Sequence, residues 1–225
     1  MSLLRKPEIK EMKKLLLFIM TLAPFAGIAQ GTESGDITFD VGIQAGIYKN
    51  NVHQSYPGII DTTFRDTAGA WLVPINVEYC FHHMLSTGIT FQFGSYFTED
   101  KPNIVNENKA RVYGVVLDFH PLNKEVFDPY IRMTHGYSTL KVKETDFGFS
   151  PAQVTDIKAG GYHFGMDLGV RLYFGKYVGI NFFGGYNLYN LNLKELYIDG
   201  SLNKDFQQDM QLTGPQFGFA LIGRI

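Results

Sequence analysis

The chain has 225 residues, 24 of them Gly, 15% aromatic, with a formal net charge of −2. A near-neutral chain of that size is enough for one domain and offers no basic footprint for nucleic acid. A single cysteine, Cys80, excludes an intrachain disulfide framework and reads as a packed free thiol.

Residues 1–29 read as a targeting signal. Lys13 and Lys14 form the basic end, Leu15 to Phe25 the apolar run, and Gly27-Ile28-Ala29 the small-residue cleavage site, with Met12 a candidate start. The run is too short for a retained spanning helix, and Pro24 interrupts it. Gln30, rather than a cysteine, would follow the cut, which argues against a lipid anchor. The domain is therefore expected over 30–225.

Period-two alternation dominates the rest of the chain, and side chains on a strand point to opposite faces with that period. The first strand is expected at Ile37–Tyr48, with Ile37, Phe39, Val41, Ile43, Ala45 and Ile47 on one face. A polar stretch with Pro57-Gly58 reads as a long loop to Gly69. The second strand takes Trp71 to Phe81, with Pro74 expected to mark an edge or bulge. After a turn at His82-His83-Met84, the third runs from Leu85 to Phe97. A loop over Glu99–Lys109 precedes the fourth, Arg111 to His120. Pro121–Asp128 turns the chain into the fifth, Pro129 to Val142, on which His135 falls on the apolar side. Glu144–Gly160 reads as a third long loop.

The sixth strand, Tyr162 to Phe174, and the seventh, from Val178, carry the clearest alternation, and Gly175-Lys176 between them reads as a two-residue turn with Gly first. The seventh strand is open to continuation through Leu193. Asn192–Leu212 reads as a fourth long loop, with Asn203–Gln211 a weak helix candidate and Leu196, Tyr197, Ile198, Phe206 and Met210 as apolar members. Gln216 to Ile225 is the last strand.

Eight strands with long connections after the odd ones and short turns after the even ones define an all-β, eight-stranded antiparallel up-and-down transmembrane barrel. An interior of that size is only wide enough for its own side chains. The bulky aromatic rows therefore belong outside, against lipid, and the glycine rows inside. A soluble lipocalin-like ligand carrier with an apolar interior is the inverted alternative. The inward rows then bring Asp40, Glu78, Asp118, Arg132, Asp167, Arg171 and Arg224 into a narrow lumen. Buried charges persist only when paired, so these are expected to form an ion-pair network that plugs the barrel, with a narrow porin-like channel as the alternative. Trp71, Tyr113 and Tyr186 are expected in the outer aromatic girdle, and Tyr79, Phe81, Phe119 and Phe174 in the periplasmic one.

No catalytic, metal or cofactor site is expected. Ser138 and His135 fall on opposite faces, His82 and His83 are expected to point apart, and His120 and His163 point inward within reach of Asp118 or Asp167. With its signal segment, its eight alternating strands and its glycine-rich inward faces, the chain resembles the small outer-membrane β-barrels of Gram-negative bacteria, among them OmpA-like transmembrane domains and the "porin family". The resemblance implies a place in the cell outer membrane. It also implies outer-membrane lipids and lipopolysaccharide as surroundings, and insertion by the barrel assembly machinery. Such barrels usually end on an aromatic residue that the machinery reads. This chain ends Gly223-Arg224-Ile225, so that signal is either missing or shifted to Phe217 and Phe219. The long loops are the expected meeting place for a protein or surface partner, in a structural or interaction role.

Overall fold

The computed structural model describes residues 33–97, 103–122 and 126–225. The expected signal segment lies outside them. Nine strands follow in order: β1 Ile37–Tyr56, β2 Ile60–His82, β3 Leu85–Phe97, β4 Ile104–Phe119, β5 Phe127–Asp146, β6 Gln153–Tyr173, β7 Val178–Ile198, β8 Ser201–Leu202 and β9 Gln207–Arg224. All pairings are antiparallel. Each of β1 to β7 pairs with the next, β7 pairs with β9, and β9 returns to β1, so eight strands close a ring and β8 only caps the end of β7. Ile37 and Ile225 exchange backbone hydrogen bonds at 2.9 and 3.0 Å, which sets the C-terminus at the same end as the start of β1.

The apolar rows face outward. Ile43 is 53% exposed, Leu168 64% and Phe217 65%, while Asp118, Arg171 and His120 are fully buried inside. This overturns the soluble-carrier alternative, which needs the opposite polarity. A belt of exposed Ile, Leu, Val and Phe around a closed ring is stable only where lipid covers it. Small inward residues make room for the larger ones: a Cβ on Gly169 would lie 2.3 Å from the Tyr130 ring.

Four expectations are corrected. The long loops are largely strand. β1 pairs with β2 as far as Tyr56↔Ile60, β4 with β5 as far as Ile104↔Asp146, β5 with β6 as far as Asp146↔Gln153, and β7 runs to Ile198. The reason is an inversion of the alternation. On β5, Met133 and Tyr137 are exposed outside while Arg132, Thr134 and Ser138 are buried. Past Thr139 the rule reverses: Leu140 is buried, Val142 packs beside it, and Lys141 and Lys143 are exposed. A strand leaving the bilayer must turn polar outside and apolar inside, and along the sequence that phase break imitates a strand end.

The second correction is the helix candidate: no helix occurs among the described residues, and 207–211 begins β9. Pro74 is the third. It marks neither an edge nor a register shift. Register holds from Val41↔Ile75 to Gln44↔Leu72, and the ladder to β1 merely skips the pairs between them. The β6–β7 turn is the fourth. Phe174 donates to Val178 O at 2.8 Å, enclosing three residues rather than two, with Gly175 at φ 122°. Outward Phe174 and outward Val178 can face each other only across an odd loop.

Among the described residues, β3 stops short of its neighbours. Its pairing with β4 ends at Gly94↔Ala110, and β7–β9 pairing ends at Asn192↔Asp209. Beyond the apolar belt the described wall therefore continues as two facing pieces, β9–β1–β2 and β4–β5–β6–β7. With the start of β1, the C-terminus and the short turns at the opposite rim, this protrusion is the extracellular one.

Candidate functional site

The lumen has two floors. The lower one is built by consecutive inward positions near the periplasmic rim. Arg132 on β5 sits directly opposite Asp118 on β4 and donates to it from Nε at 2.9 Å and Nη2 at 2.8 Å. Its Nη2 also reaches Glu78 on β2. Arg171 on β6 donates from Nη2 to Glu78 Oε2 at 2.6 Å and to Asp118 Oδ2 at 2.7 Å, closing a quartet of two acids and two bases. Tyr130 lies beneath both guanidinium groups, 4.6 Å from Arg171 and 5.1 Å from Arg132, and its hydroxyl donates to Asn181 at 2.9 Å. Asp40 stands at the edge, 3.8 Å from Arg132 Nη1 and held by Asn76.

Two residues expected in this network lie elsewhere. Asp167 is directly opposite Arg132, but Arg132 leans to the β4 side, and Asp167 instead accepts from Gln216 Nε2 at 2.6 Å. Arg224 sits at the rim over the Tyr173 ring, 4.6 Å away, donates to Lys176 O at 2.9 Å, and lies 3.8 Å from Asp36. Row membership fixes a residue's face; its height along the barrel decides whom it meets.

The histidines also differ from expectation. His120 meets Asp128, Nδ1 to Oδ1 at 2.8 Å, and its Nε2 lies 3.2 Å from Ser86 Oγ. That is the order of a Ser-His-Asp triad, which the sequence concealed because Asp128 lies in the residues read as a turn. Ser86 Oγ, however, also lies 3.2 Å from Glu78 Oε2, and all three residues are buried against the quartet. A nucleophile needs access as well as a base. The arrangement extends the polar packing of the lower floor. His163 bonds Asn187 at 3.1 Å and stacks on Tyr189 at 4.5 Å, away from Asp167. His82 and His83 lie with ring centroids 4.0 Å apart at the β2–β3 turn, and no group of potential metal ligands forms among the described residues.

The upper floor is apolar. Tyr48, Tyr96 and Tyr189 meet edge to face at centroid distances of 5.6 to 5.9 Å. Ala68, Ala70, Val112, Leu140, Leu191 and Leu212 surround them. None of the three hydroxyls makes a hydrogen bond of normal geometry. Between the floors, Gln44 and Asn187 both donate to the side-chain oxygen of Gln216 across the lumen. Outside, Trp71, Tyr113 and Tyr186 are exposed at the upper edge of the belt and Tyr79, Phe81 and Phe119 at the lower, with Phe174 half-buried in the turn after β6. Register adds Tyr137 and Tyr162 to the upper girdle, beside Tyr113 in one cross-strand row. Above it, where β7 and β9 part, an open cleft of ≈ 550 Å³ is lined by Leu193, Glu195, Leu202, Phe206 and Asp209.

No known protein family and no characterised protein matches the sequence. Solved structures match its fold. The outer membrane protein OprG from Pseudomonas aeruginosa aligns with a TM-score of 0.58 at 11% identity, covering 88% of this chain and 99% of that one. Ail, the attachment invasion locus protein of Yersinia pestis, aligns at TM-score 0.41 and 13% identity, covering 83% and 99%. Neisserial surface protein A aligns at 0.42 and 13%, covering 79% and 95%. The fold is that of the small outer-membrane β-barrels. With its lipid-facing belt, the chain is an integral barrel of the outer membrane.

Proposed function

We propose that this barrel is a membrane anchor for a strand-built extracellular platform, with a structural or interaction role and neither a pore nor a catalytic step. The observation that carries the reading is the double closure of the lumen. The Arg132–Glu78–Arg171–Asp118 quartet fills the lower floor and the tyrosine cluster fills the upper one, with Arg171, Asp118, Tyr48 and Tyr189 all at 0% exposure. Among the described residues, what remains available to other molecules is the outer surface of the two protruding wall pieces and the β7–β9 cleft. No feature of the lumen favours the porin-like alternative.

Two measurements test this. In planar bilayers the purified protein should give no steady conductance. Asn51 and Arg65 are cross-strand partners, so replacing 52–64 by an Asn-Gly turn shortens the β1–β2 hairpin without changing register. The trimmed barrel should keep heat-modifiable gel mobility while cells displaying it lose adhesion to other cells or to matrix. Unchanged adhesion together with a new conductance would make the protrusion a lid and put transport in place of interaction.

A further inference from the structure

We propose that the outward face of β4, β5 and β6 just above the girdle docks the anionic headgroup of a phosphorylated outer-leaflet glycolipid. Lys109 pairs across the strands with Lys141, and Lys141 with Lys158, placing three ammonium groups in one row on adjacent strands. All three lie on the outward face, Lys109 and Lys141 exposed and Lys158 half-buried. Like charges directly opposite one another destabilise a sheet, so such a row calls for a counter-anion. Lys158 has one in Glu195. Glu195 also acts on Lys141 at longer range, but among the described residues no carboxylate lies within ion-pair contact of Lys109, Lys141 or the exposed Arg111, two residues closer to the membrane on β4. Neighbouring strands are about 4.8 Å apart, so the Lys109 and Lys141 ammonium groups can converge on a single multivalent anion, with Lys158 held beside them by Glu195.

The height of the row selects the source of that anion. Tyr113, Tyr137 and Tyr162 form the girdle row on these same strands, four residues below the lysines. Interfacial aromatics sit at headgroup level, and four residues of tilted strand rise about 10 Å, into the sugar and phosphate layer. Among the described residues, the acids of this face are set farther out or to one side. Glu107 and Asp156 flank Lys143 in the next outward row beyond the lysines, while Glu195 and Lys194 lie on β7. The positive edge therefore faces the membrane. The opposite wall has no counterpart, since there Lys49 lies between Thr67 and Thr213, and Asn51 between Arg65 and Gln211. A one-sided basic row bordering the girdle fits a lipid of the same leaflet better than a soluble polyanion arriving from above.

The test uses the full chain refolded in phosphatidylcholine vesicles with and without lipid A, followed by native mass spectrometry of the lipid retained on the barrel and its salt dependence. The wild type should retain lipid A in preference to phosphatidylcholine. K109Q/K141Q should lower that retention about thirty-fold, as two basic residues at an anionic surface contribute. K109R/K141R should keep it, and K49Q/R65Q on the opposite wall should leave it unchanged. These exposed positions leave the lumen untouched, which heat-modifiable mobility checks for each variant. Equal losses in K109Q/K141Q and K49Q/R65Q would reduce the effect to diffuse charge, and no loss in K109Q/K141Q would remove the site. Intact lipid A retention with lost binding of a soluble sulphated polysaccharide would assign the row to a polyanion from the medium.

Discussion

Within the belt and above it, one continuous wall obeys opposite rules. Along β5 the outer row passes from Ile131, Met133 and Tyr137 to Lys141 and Lys143, and the inner row from Arg132 and Thr134 to Leu140 and Val142. In the bilayer, lipid covers the outer row, so the interior is free to be polar provided its charges are matched. Above the bilayer water covers the outer row, and apolar burial must come from within. The quartet and the tyrosine cluster are thus two answers to one question, set by the medium on the far side of the strand.

The comparison breaks most visibly at Arg171. Arg171→Met removes one of the two donors shared by Glu78 and Asp118 and leaves two buried acids facing one guanidinium. A loss of about 3–5 kcal/mol is expected in urea unfolding of the folded barrel, with part of it regained when Glu78→Gln is added. A matched pair of tyrosines sharpens the contrast. Tyr130→Phe removes a hydroxyl that donates to Asn181 at 2.9 Å and should cost about 1 kcal/mol or somewhat more. Tyr189→Phe removes one without a normal partner and should stay within about 0.5 kcal/mol, or stabilise. Equal losses at the two sites would show that the upper floor is also held by hydrogen bonds.

The smallest effect concerns the same charge chemistry in water. The hydrogen bond between Lys158 and Glu195, on the outer face of the protrusion, lowers the Glu195 pKa and raises that of Lys158. The pair is complete above the ordinary glutamate value near 4.3 and below the ordinary lysine value near 10.4. It weakens as pH falls through the depressed Glu195 pKa or climbs through the raised Lys158 pKa. A carboxyl NMR titration should place Glu195 below a free glutamate and move it back in Lys158→Met, with no measurable change in barrel unfolding. A barrel that unfolded more readily in that variant would put this exposed pair on the same footing as the buried quartet.

Much of this was legible because period two is unambiguous where one face meets lipid. Parity alone put Asp40, Glu78, Asp118, Arg132 and Arg171 inside, and Trp71, Tyr113 and Tyr186 outside. It failed at the upper strand segments, where the phase break at Thr139 and at Tyr48–Lys49 imitates a loop. It also carried no register. Neither the Lys109–Lys141–Lys158 row nor the meeting of Ser86, His120 and Asp128 can be drawn until strands are slid against one another. Asp128 and Tyr130 did carry a signal, since both share the parity of Arg132.

Two of the three prolines in the strands of the wall, Pro74 and Pro215, have a mechanical consequence. Pro74 leaves a gap in the β1–β2 ladder between Val41 and Gln44, and opposite Pro215 the β1–β9 ladder skips from Gly46 to Lys49. β1 is therefore stitched loosely on both sides, at staggered heights, and it is also the strand that must find β9 across nearly the whole chain to complete the ring. Proline offers no amide to a neighbour's carbonyl, so each gap removes cross-links where hydrocarbon offers no substitute. Pulled or heated, this cylinder has a seam. Deuterium should enter first along β1, and the wall should unzip from there while β4 to β7 stay laced.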